Sequence, residues 1–181
     1  KDSCHAVVRS CCRKGQTADA ATCLDAMVRH SCTPHEASFN AVIKCSAMQG
    51  ISSQVDRLLG KMAGLDLTPG LACFNLLISR CAVNHDVAGA QLWFDRIAAS
   101  GQVPNRASLA PIIDMHAQNG DTAAVTRWLE VMASAGIQRD QTSYNALIAS
   151  CANRADAKEA EGYLARMEED RVFPVVLSYN L

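Results

Sequence analysis

The sequence predicts an all-α protein built from tandem pairs of antiparallel helices. An aromatic residue followed by asparagine recurs at Phe39, Phe74, Tyr144 and Tyr179, and the intervals of 35, 70 and 35 residues define a period of 35. Each period contains two stretches with apolar residues at helical spacing, separated by glycine or proline. A period of this length is typical of a repeated supersecondary unit, so it decides the architecture.

The period divides the chain into five units, residues 1–35, 36–70, 71–105, 106–140 and 141–175, followed by the start of a sixth at 176–181. Two further columns keep the same register, and they contain Met27, Met62, Ile97, Met132 and Met167, and Leu24, Leu59, Phe94, Leu129 and Leu164. We therefore expect one repeat array over 1–181. Because it begins in register and stops inside a copy, we expect it to be a fragment of a longer protein.

The second unit illustrates the predicted fold of each repeat. Its first helix, about 37–48, ends before Gly50, since glycine readily ends a helix. Its second helix, about 52–63, begins where Ser52 or Ser53 could cap the free amides. The connection of three or four residues requires the two helices to lie antiparallel.

The sequences of the other four repeats predict the same pair of antiparallel helices. Their helices are expected at about 2–13 and 17–29, 72–83 and 87–99, 107–118 and 122–134, and 142–153 and 157–169. Pro111 lies near the first turn of its helix, which favours a late helix start over a kink. One pair cannot cover its own apolar face, so the units must stack. The side chains expected to be buried between units are Leu59, Phe94, Leu129, Leu164, Met62, Met132 and Met167.

Composition excludes several classes of function. The net charge is −1, graded from +2 in residues 1–35 to −2 in residues 141–175, so a polyanion would favour the N-terminal end. Nine cysteines without a Cys-x-x-Cys pair indicate buried thiols in a reducing compartment rather than a zinc site. The chain has neither a membrane-spanning apolar stretch nor a catalytic motif. We therefore expect no enzyme activity, cofactor, metal site or small-molecule substrate.

Several features together resemble the pentatricopeptide repeat family over all 181 residues. They are the opening Ser38-Phe39-Asn40-Ala41-Val42-Ile43, a small residue near the twelfth place, glycine three residues later, the Leu and Met columns, and the closing Gly136-to-Asp140 segment. The resemblance implies a right-handed α-solenoid. It also implies residence in a mitochondrion or chloroplast and, for most members, binding of single-stranded RNA.

The resemblance also implies which side chains face a ligand. In that family the fifth and last places of each unit face a base edge, and the thirteenth place is often basic. The candidate groove residues are therefore His5, Arg13, His35, Asn40, Asn75, Asn105, Asp140 and Asn145. The family's favoured pairing of Asn with Asp occurs in no unit, and Gly70 and Ala110 offer no hydrogen-bonding side chain. An alternative for the Asn column is a local bond to backbone that helps to set the first turn.

Two functions remain open at the level of the sequence. One is an RNA-binding module of an organellar processing, stability or translation factor. The other is a protein-binding scaffold subunit of a large organellar complex. The second is favoured by the near-neutral charge and by the apolar residues expected in the groove, which are Ala37, Met48, Ala72, Val83 and Ala107.

Overall fold

The computed structural model describes residues 2–30 and 34–179, and all regular secondary structure in those ranges is helical. The helices are α1 (Asp2–Arg13), α2 (Thr17–Arg29), α3 (Glu36–Met48), α4 (Ser52–Ala63), α5 (Leu71–Val83), α6 (Val87–Ala99), α7 (Arg106–Gln118), α8 (Thr122–Ser134), α9 (Gln141–Asn153), α10 (Ala157–Glu169) and α11 (Val176–Tyr179). The predicted all-helical fold is confirmed. Within the same ranges no helix is both long and apolar enough to cross a bilayer.

The helix bounds agree with the predicted ones to within a residue. The predicted start of a sixth unit corresponds to α11, while residues 180 and 181 lie outside the described residues. The predicted turn near residue 34 is described from Pro34 onward, because residues 31–33 also lie outside them. The chain divides into two compact units, Lys1–Arg80 and Cys81–Leu181. A single array over 1–181 stays a prediction.

The N-terminal unit is held together by packing between its helix pairs. Turns of three residues join α1 to α2 and α3 to α4, and the helices of each pair pack on each other. In addition, α1 and α2 both pack on α3. The largest fully buried side chains of this unit are Leu24, Phe39, Ile43, Leu58, Met62 and Ile78. The core of this compact unit therefore forms where α1, α2 and α4 pack against α3.

The C-terminal unit repeats this arrangement. Here α7 packs on α8 and α9, and α9 packs on α10 and α11. The Phe94 ring meets the edge of Trp128 at a centroid distance of 4.9 Å. The Arg96 guanidinium lies 4.6 Å from the centre of the Trp93 ring. Both tryptophans are 9% exposed, which confirms that their shared column packs in the core.

The expected burial of the Leu column is only partly correct. Leu129 is 1% exposed and the Met column is buried throughout, as predicted. Leu59, Phe94 and Leu164 are only half-buried, so the prediction is wrong for them. The residue that precedes each Leu-column position lies on the same apolar stripe. Leu58 is more deeply buried than Leu59, and Trp93 is more deeply buried than Phe94.

The first helix of each of the five complete repeats, α1, α3, α5, α7 and α9, ends with the same hydrogen bond. The N–H of the second residue beyond the helix cap donates to a carbonyl five residues back, as in Gln16 to Cys11 at 2.9 Å and Asp156 to Cys151 at 2.9 Å. This Schellman arrangement requires a left-handed residue just before the donor. Those residues are Gly15, Gly50, His85, Gly120 and Ala155, with φ of 73°, 74°, 54°, 69° and 57°.

The second helices α4, α6, α8 and α10 end in the same way. Their closing bonds run from Leu67 to Met62, Gln102 to Ile97, Ile137 to Met132 and Val172 to Met167. The left-handed residues are Asp66, Gly101, Gly136 and Arg171. Because non-glycine residues fill this position twice in each set, the backbone shape is kept even where the sequence lacks the residue that adopts it most easily.

Helix starts differ between the two compact units. Asp86, Asp121 and Asp156 cap α6, α8 and α10 by accepting a backbone N–H three residues on, at 2.9, 3.0 and 3.1 Å. In the N-terminal unit, α4 follows Ile51 and has no side-chain cap. The predicted cap by Ser52 or Ser53 is therefore wrong, because the helix already includes both residues.

The predicted late start of the helix that contains Pro111 is also wrong. This helix, α7, begins at Arg106, and Pro111 lies inside it. A capping box fixes the earlier start, since Asn105 accepts from the Ser108 N–H at 3.2 Å and its own N–H donates to the Ser108 hydroxyl at 3.2 Å. Pro111 has no backbone N–H to donate to the preceding turn, and α7 continues through it without that hydrogen bond.

The left-handed Ala155 gives a stability prediction. Ala155→Gly should raise the free energy of unfolding by about 1 kcal/mol, because glycine adopts positive φ without strain. Ala165→Gly is the matched control in the exposed interior of α10, and it should lower the same quantity by about 1 kcal/mol. Urea denaturation of both variants measures the two changes. A loss of stability at both positions would contradict the role given to residue 155.

The corrected burial of the Leu column gives a second prediction. Leu129→Ala should lower the free energy of unfolding by about 2–5 kcal/mol, because it opens a cavity in the core. Leu164→Ala removes the same atoms from a half-buried site and should cost about 1 kcal/mol. Chemical denaturation measures both, and equal losses would show that the two sites are buried alike.

Candidate functional site

The N-terminal unit has an open concavity of 590 Å³ between its first helices. Its lining includes His5 and Arg9 of α1, His35 before α3, Asn40 and Lys44 of α3, and Leu76 of α5. A second concavity of 340 Å³ shares Arg9, Ala41 and Lys44 with it and continues to Cys12, Arg13 and Met48. We call the two together the N-terminal groove. It brings four of the predicted site residues together: His5, Arg13, His35 and Asn40.

Three cations line the N-terminal groove. Among the described residues, Arg9, Arg13 and Lys44 make no ion pair. The cations of α4 differ, because Arg57 and Lys61 both bind the Asp25 carboxylate of α2. The groove therefore presents three cations that form no ion pair with a described carboxylate.

Two of these cations, Arg9 and Lys44, were missed as candidate site residues. They occupy the ninth place of consecutive units and are 35 residues apart. The signal was available, since the column is basic in both units and the first unit carries the largest positive charge. The thirteenth place, which the family resemblance indicated, contains a cation only at Arg13.

Two histidine rings stack at one end of the N-terminal groove. The centroids of His5 and His35 lie 4.6 Å apart with 21° between the ring planes. The Nδ1 atom of His5 lies 2.5 Å from the Ser38 hydroxyl oxygen, so that nitrogen has a partner within the protein. His5 is half-buried and His35 is exposed. The pair therefore presents a ring surface rather than two free base-edge contacts.

The Asn40 side chain is partly engaged. Its Nδ2 donates to the Glu36 carboxylate at 3.0 Å, while its buried Oδ1 has no hydrogen-bond partner among the described residues. A Cβ placed on Gly70 would lie 2.7 Å from the same Glu36 oxygen. The Glu36 carboxylate thus occupies the space that a side chain at residue 70, the last place of this unit, would need.

Two thiols of the groove, Cys12 and Cys73, have a raised pKa. Burial and the neighbouring Cys45 and Cys11 raise the pKa of Cys12 to about 11. Burial and the charge of Glu36 raise the pKa of Cys73 to about 12. At physiological pH neither thiol adds a negative charge to the groove, where the Glu36 carboxylate acts on Cys73 and binds Asn40.

The C-terminal unit has a different groove. A concavity of 300 Å³ is lined by Asp114, Gln118, Thr142, Asn145 and Asn153, among others. Burial raises the pKa of Asp114 above its ordinary value. The Asn145 Oδ1 accepts from the Ser178 hydroxyl at 2.7 Å. This groove therefore offers amides and a carboxyl group where the N-terminal groove offers cations.

Two predicted last-place residues act as helix caps. Asn105 caps α7, and Asp140 caps α9 by accepting from the Ser143 N–H at 3.1 Å. Arg106 also pairs with Asp140. Burial alone would raise the pKa of Asp140, but hydrogen bonds from Arg106 and Ser143 and the charge of Arg106 outweigh it and hold the pKa below its usual range. Both side chains thus have a structural role.

Comparison with known proteins identifies the repeat. A family model described as PPR repeat matches residues 2–32, and one described as pentatricopeptide repeat domain matches residues 127–181. The chain belongs to the pentatricopeptide repeat family. The search of curated proteins found no match.

Solved pentatricopeptide repeat structures share the fold. PPR10, known from maize, was solved in complex with an 18-nt psaJ RNA element and matches with a TM-score of 0.74 and 21% identity, covering 98% of this chain. The chain spans 26% of that PPR10 chain. The PPR domain of Arabidopsis thaliana protein-only RNase P 1, in complex with tRNA, matches with a TM-score of 0.73 and 15% identity over 97% of this chain and 92% of that one. These likenesses show an all-α helical-repeat solenoid.

In this pentatricopeptide repeat chain Asn40 and Asn145 bond to side chains rather than to the local backbone that the alternative proposed. Asn40 bonds to a side chain one turn earlier, and Asn145 bonds to Ser178 of the following helix. His5 and Ser38 form the same contact as Asn145 and Ser178, since each pair is 33 residues apart. At His5 and Asn145 the fifth place therefore links consecutive repeats, whereas at Asn40 its bond lies within one helix. Asn75 is half-buried and also has an interaction partner.

The cap at Asp140 gives a prediction for this pentatricopeptide repeat chain. Asp140→Ala should lower the free energy of unfolding by about 1 kcal/mol, whereas Asp140→Asn keeps the capping oxygen and should lose less. Because the folded pKa is depressed, the charge contributes stability above the unfolded pKa of about 3.9, and this is lost as pH falls through the folded value.

Denaturation at neutral pH and below pH about 4 measures both effects. The stability gap between the parent chain and Asp140→Asn should shrink in acid. A gap that widens in acid would contradict the assigned direction of the pKa shift.

Proposed function

We propose that this chain is an RNA-binding module that holds single-stranded RNA in its N-terminal groove. The observation that carries the proposal is the set of Arg9, Arg13 and Lys44, which line the groove without an ion pair among the described residues. The RNA-bound structures of PPR10 and of the PRORP1 repeat domain support the choice of ligand. The module itself is proposed to be non-catalytic.

The three cations suit the phosphate backbone. Phosphate contacts supply much of the affinity for nucleic acid, and each contact to a single strand changes the slope of log K against log salt by about −0.7. Three contacts predict a slope of about −2. The carboxyl group of Asp114 in the C-terminal groove would oppose phosphate, so the N-terminal groove is the proposed phosphate site.

Base contacts are proposed for the amides that line the grooves. An amide both donates and accepts, and this suits a base edge. Asn40 and Asn145 line their respective grooves, and Asn75 shares their place in the repeat. Asn105 and Asp140 are engaged as helix caps, so a base contact by either side chain would share its oxygen with a backbone N–H.

A protein-binding scaffold is the second candidate. The observation in its favour is the exposure of large apolar side chains, since Met48 is 60% and Val83 is 68% exposed. Apolar surface of this kind suits a protein partner more than a phosphate backbone. If the scaffold is correct, Met48→Asp should reduce retention of the chain in its complex, while Arg9→Ala should have little effect.

Residence in a mitochondrion or chloroplast is part of the proposal and rests on the family resemblance. One structural neighbour, PRORP2 of Arabidopsis thaliana, is described as nuclear. Fractionation of cells expressing the tagged full-length protein tests the organelle separately from RNA binding. Recovery in the nuclear fraction alone would remove the organellar part of the proposal.

The RNA function is tested by titrating the full-length protein with randomised single-stranded RNA at about 50 and about 200 mM salt. Arg9→Ala and Lys44→Ala should each weaken binding to all sequences alike and make the salt slope shallower by about 0.7, because phosphate contacts carry no base information. Arg57→Ala is the matched control, since its guanidinium pairs with Asp25 and lies outside the groove lining.

The outcomes separate the two candidates. Binding with unchanged slopes in both groove variants would place the RNA elsewhere on the chain. Undetectable binding at the lower salt would remove the RNA function and leave the scaffold.

A further inference from the structure

The stacked histidines of the first unit differ from a pair of base-edge contacts. Their rings lie nearly parallel, 4.6 Å apart, and His5 is held in place through its Nδ1 by Ser38. Two side chains that converge on the edge of one base would instead direct separate polar atoms at it. His5 and His35 therefore offer an aromatic face.

The pair belongs to no cluster of metal-ligating side chains in the described chain. The His5 Nδ1 already has a partner in the Ser38 hydroxyl. In the part of the chain that the structure describes, no group of three or more His, Cys, Asp and Glu side chains is arranged to hold an ion. The exposed ring surface of His35 is the chemical feature that remains.

The space beside the stack suits one nucleotide. The concavity of 590 Å³ is within the range of about 300–1,000 Å³ that is typical of ligand sites. Small and apolar side chains, Ala37, Ala41 and Leu76, line it together with the histidines. Arg9 and Lys44 line the same space, so a ring on the stack and a phosphate near the cations can be accommodated together.

We propose that one base of the bound RNA stacks on the face of His35 that is turned away from His5, with an adjacent phosphate beside Arg9 and Lys44. This inference rests on the proposed RNA function and specifies the contact in the first unit. Aromatic stacking accepts every base, because every base has a π-face. The first unit therefore contributes affinity with little sequence preference, and larger purine rings bind more tightly than pyrimidines.

The test uses the imidazole proton resonances of the full chain, whose size of 19.4 kDa suits solution NMR. The probes are oligoadenylate, oligouridylate and an abasic oligomer with the same number of phosphates. A base stacked on His35 shifts its ring protons upfield, more for adenylate than for uridylate. The abasic oligomer binds the cations without this shift. His116, which is buried in the C-terminal unit, is the internal control.

Matched variants test the energetic contribution. His35→Ala should weaken oligoadenylate binding by about 5- to 150-fold, the effect of losing one stacked base, and leave binding of the abasic oligomer unchanged. His35→Phe keeps an aromatic ring and should restore most of the affinity. Because His35 is exposed and lies outside the helices, both variants should keep the parent helical content, which circular dichroism checks.

The results distinguish this inference from the proposed function. Oligoadenylate binding without an upfield shift at His35, or equal loss of adenylate and abasic binding in His35→Ala, would overturn the stacking site while RNA binding stands. Absence of binding by all three oligomers would overturn both. A shift at His35 together with rescue by phenylalanine supports the site.

Discussion

The repeat geometry depends on the hydrogen bond that closes each helix. In all five units the backbone N–H two residues beyond the cap bonds to a carbonyl five residues earlier, and the residue between is left-handed. This bond fixes the direction in which the chain leaves the helix, so the next helix starts after a turn of constant length. Because this geometry recurs every 35 residues, equivalent side chains of successive first helices within one compact unit face the same way, and the groove of each compact unit is built from columns of the sequence.

The columns determine what each groove can bind. In two repeats the fifth place forms a hydrogen bond to the next repeat, His5 with Ser38 and Asn145 with Ser178. The ninth place sets the charge, because it holds Arg9 and Lys44 in the N-terminal unit and Asp114 in the C-terminal one. One backbone frame thus presents positive charge at one groove and a carboxyl group at the other.

The sequence predicted the helices and turns well because the period averages over five copies, so local ambiguity in one unit is resolved by the others. The prediction was wrong where one side chain determines a helix start or the burial of its neighbour. The start of α7 depends on the Asn105–Ser108 capping box rather than on Pro111, and the half-burial of Leu59 depends on its neighbour Leu58. The predicted site residues His5, Arg13, His35 and Asn40 line one groove, but the sequence analysis missed Arg9 and Lys44 there. The stacking of His5 on His35 could not be predicted either, because it depends on distances between two segments that no pattern encodes.

Recognition of one base by each unit would require the fifth-place and last-place side chains to be available together. Asp140 already holds the α9 N-terminus and the Arg106 guanidinium, Ala110 has no polar atom, and Gly70 leaves its space to Glu36. The cations of the N-terminal groove have no such competing role in the described chain. On the proposed function, contact with RNA is therefore concentrated in the N-terminal unit and depends more on charge and ring stacking than on edge recognition, so affinity should vary more with salt than with sequence.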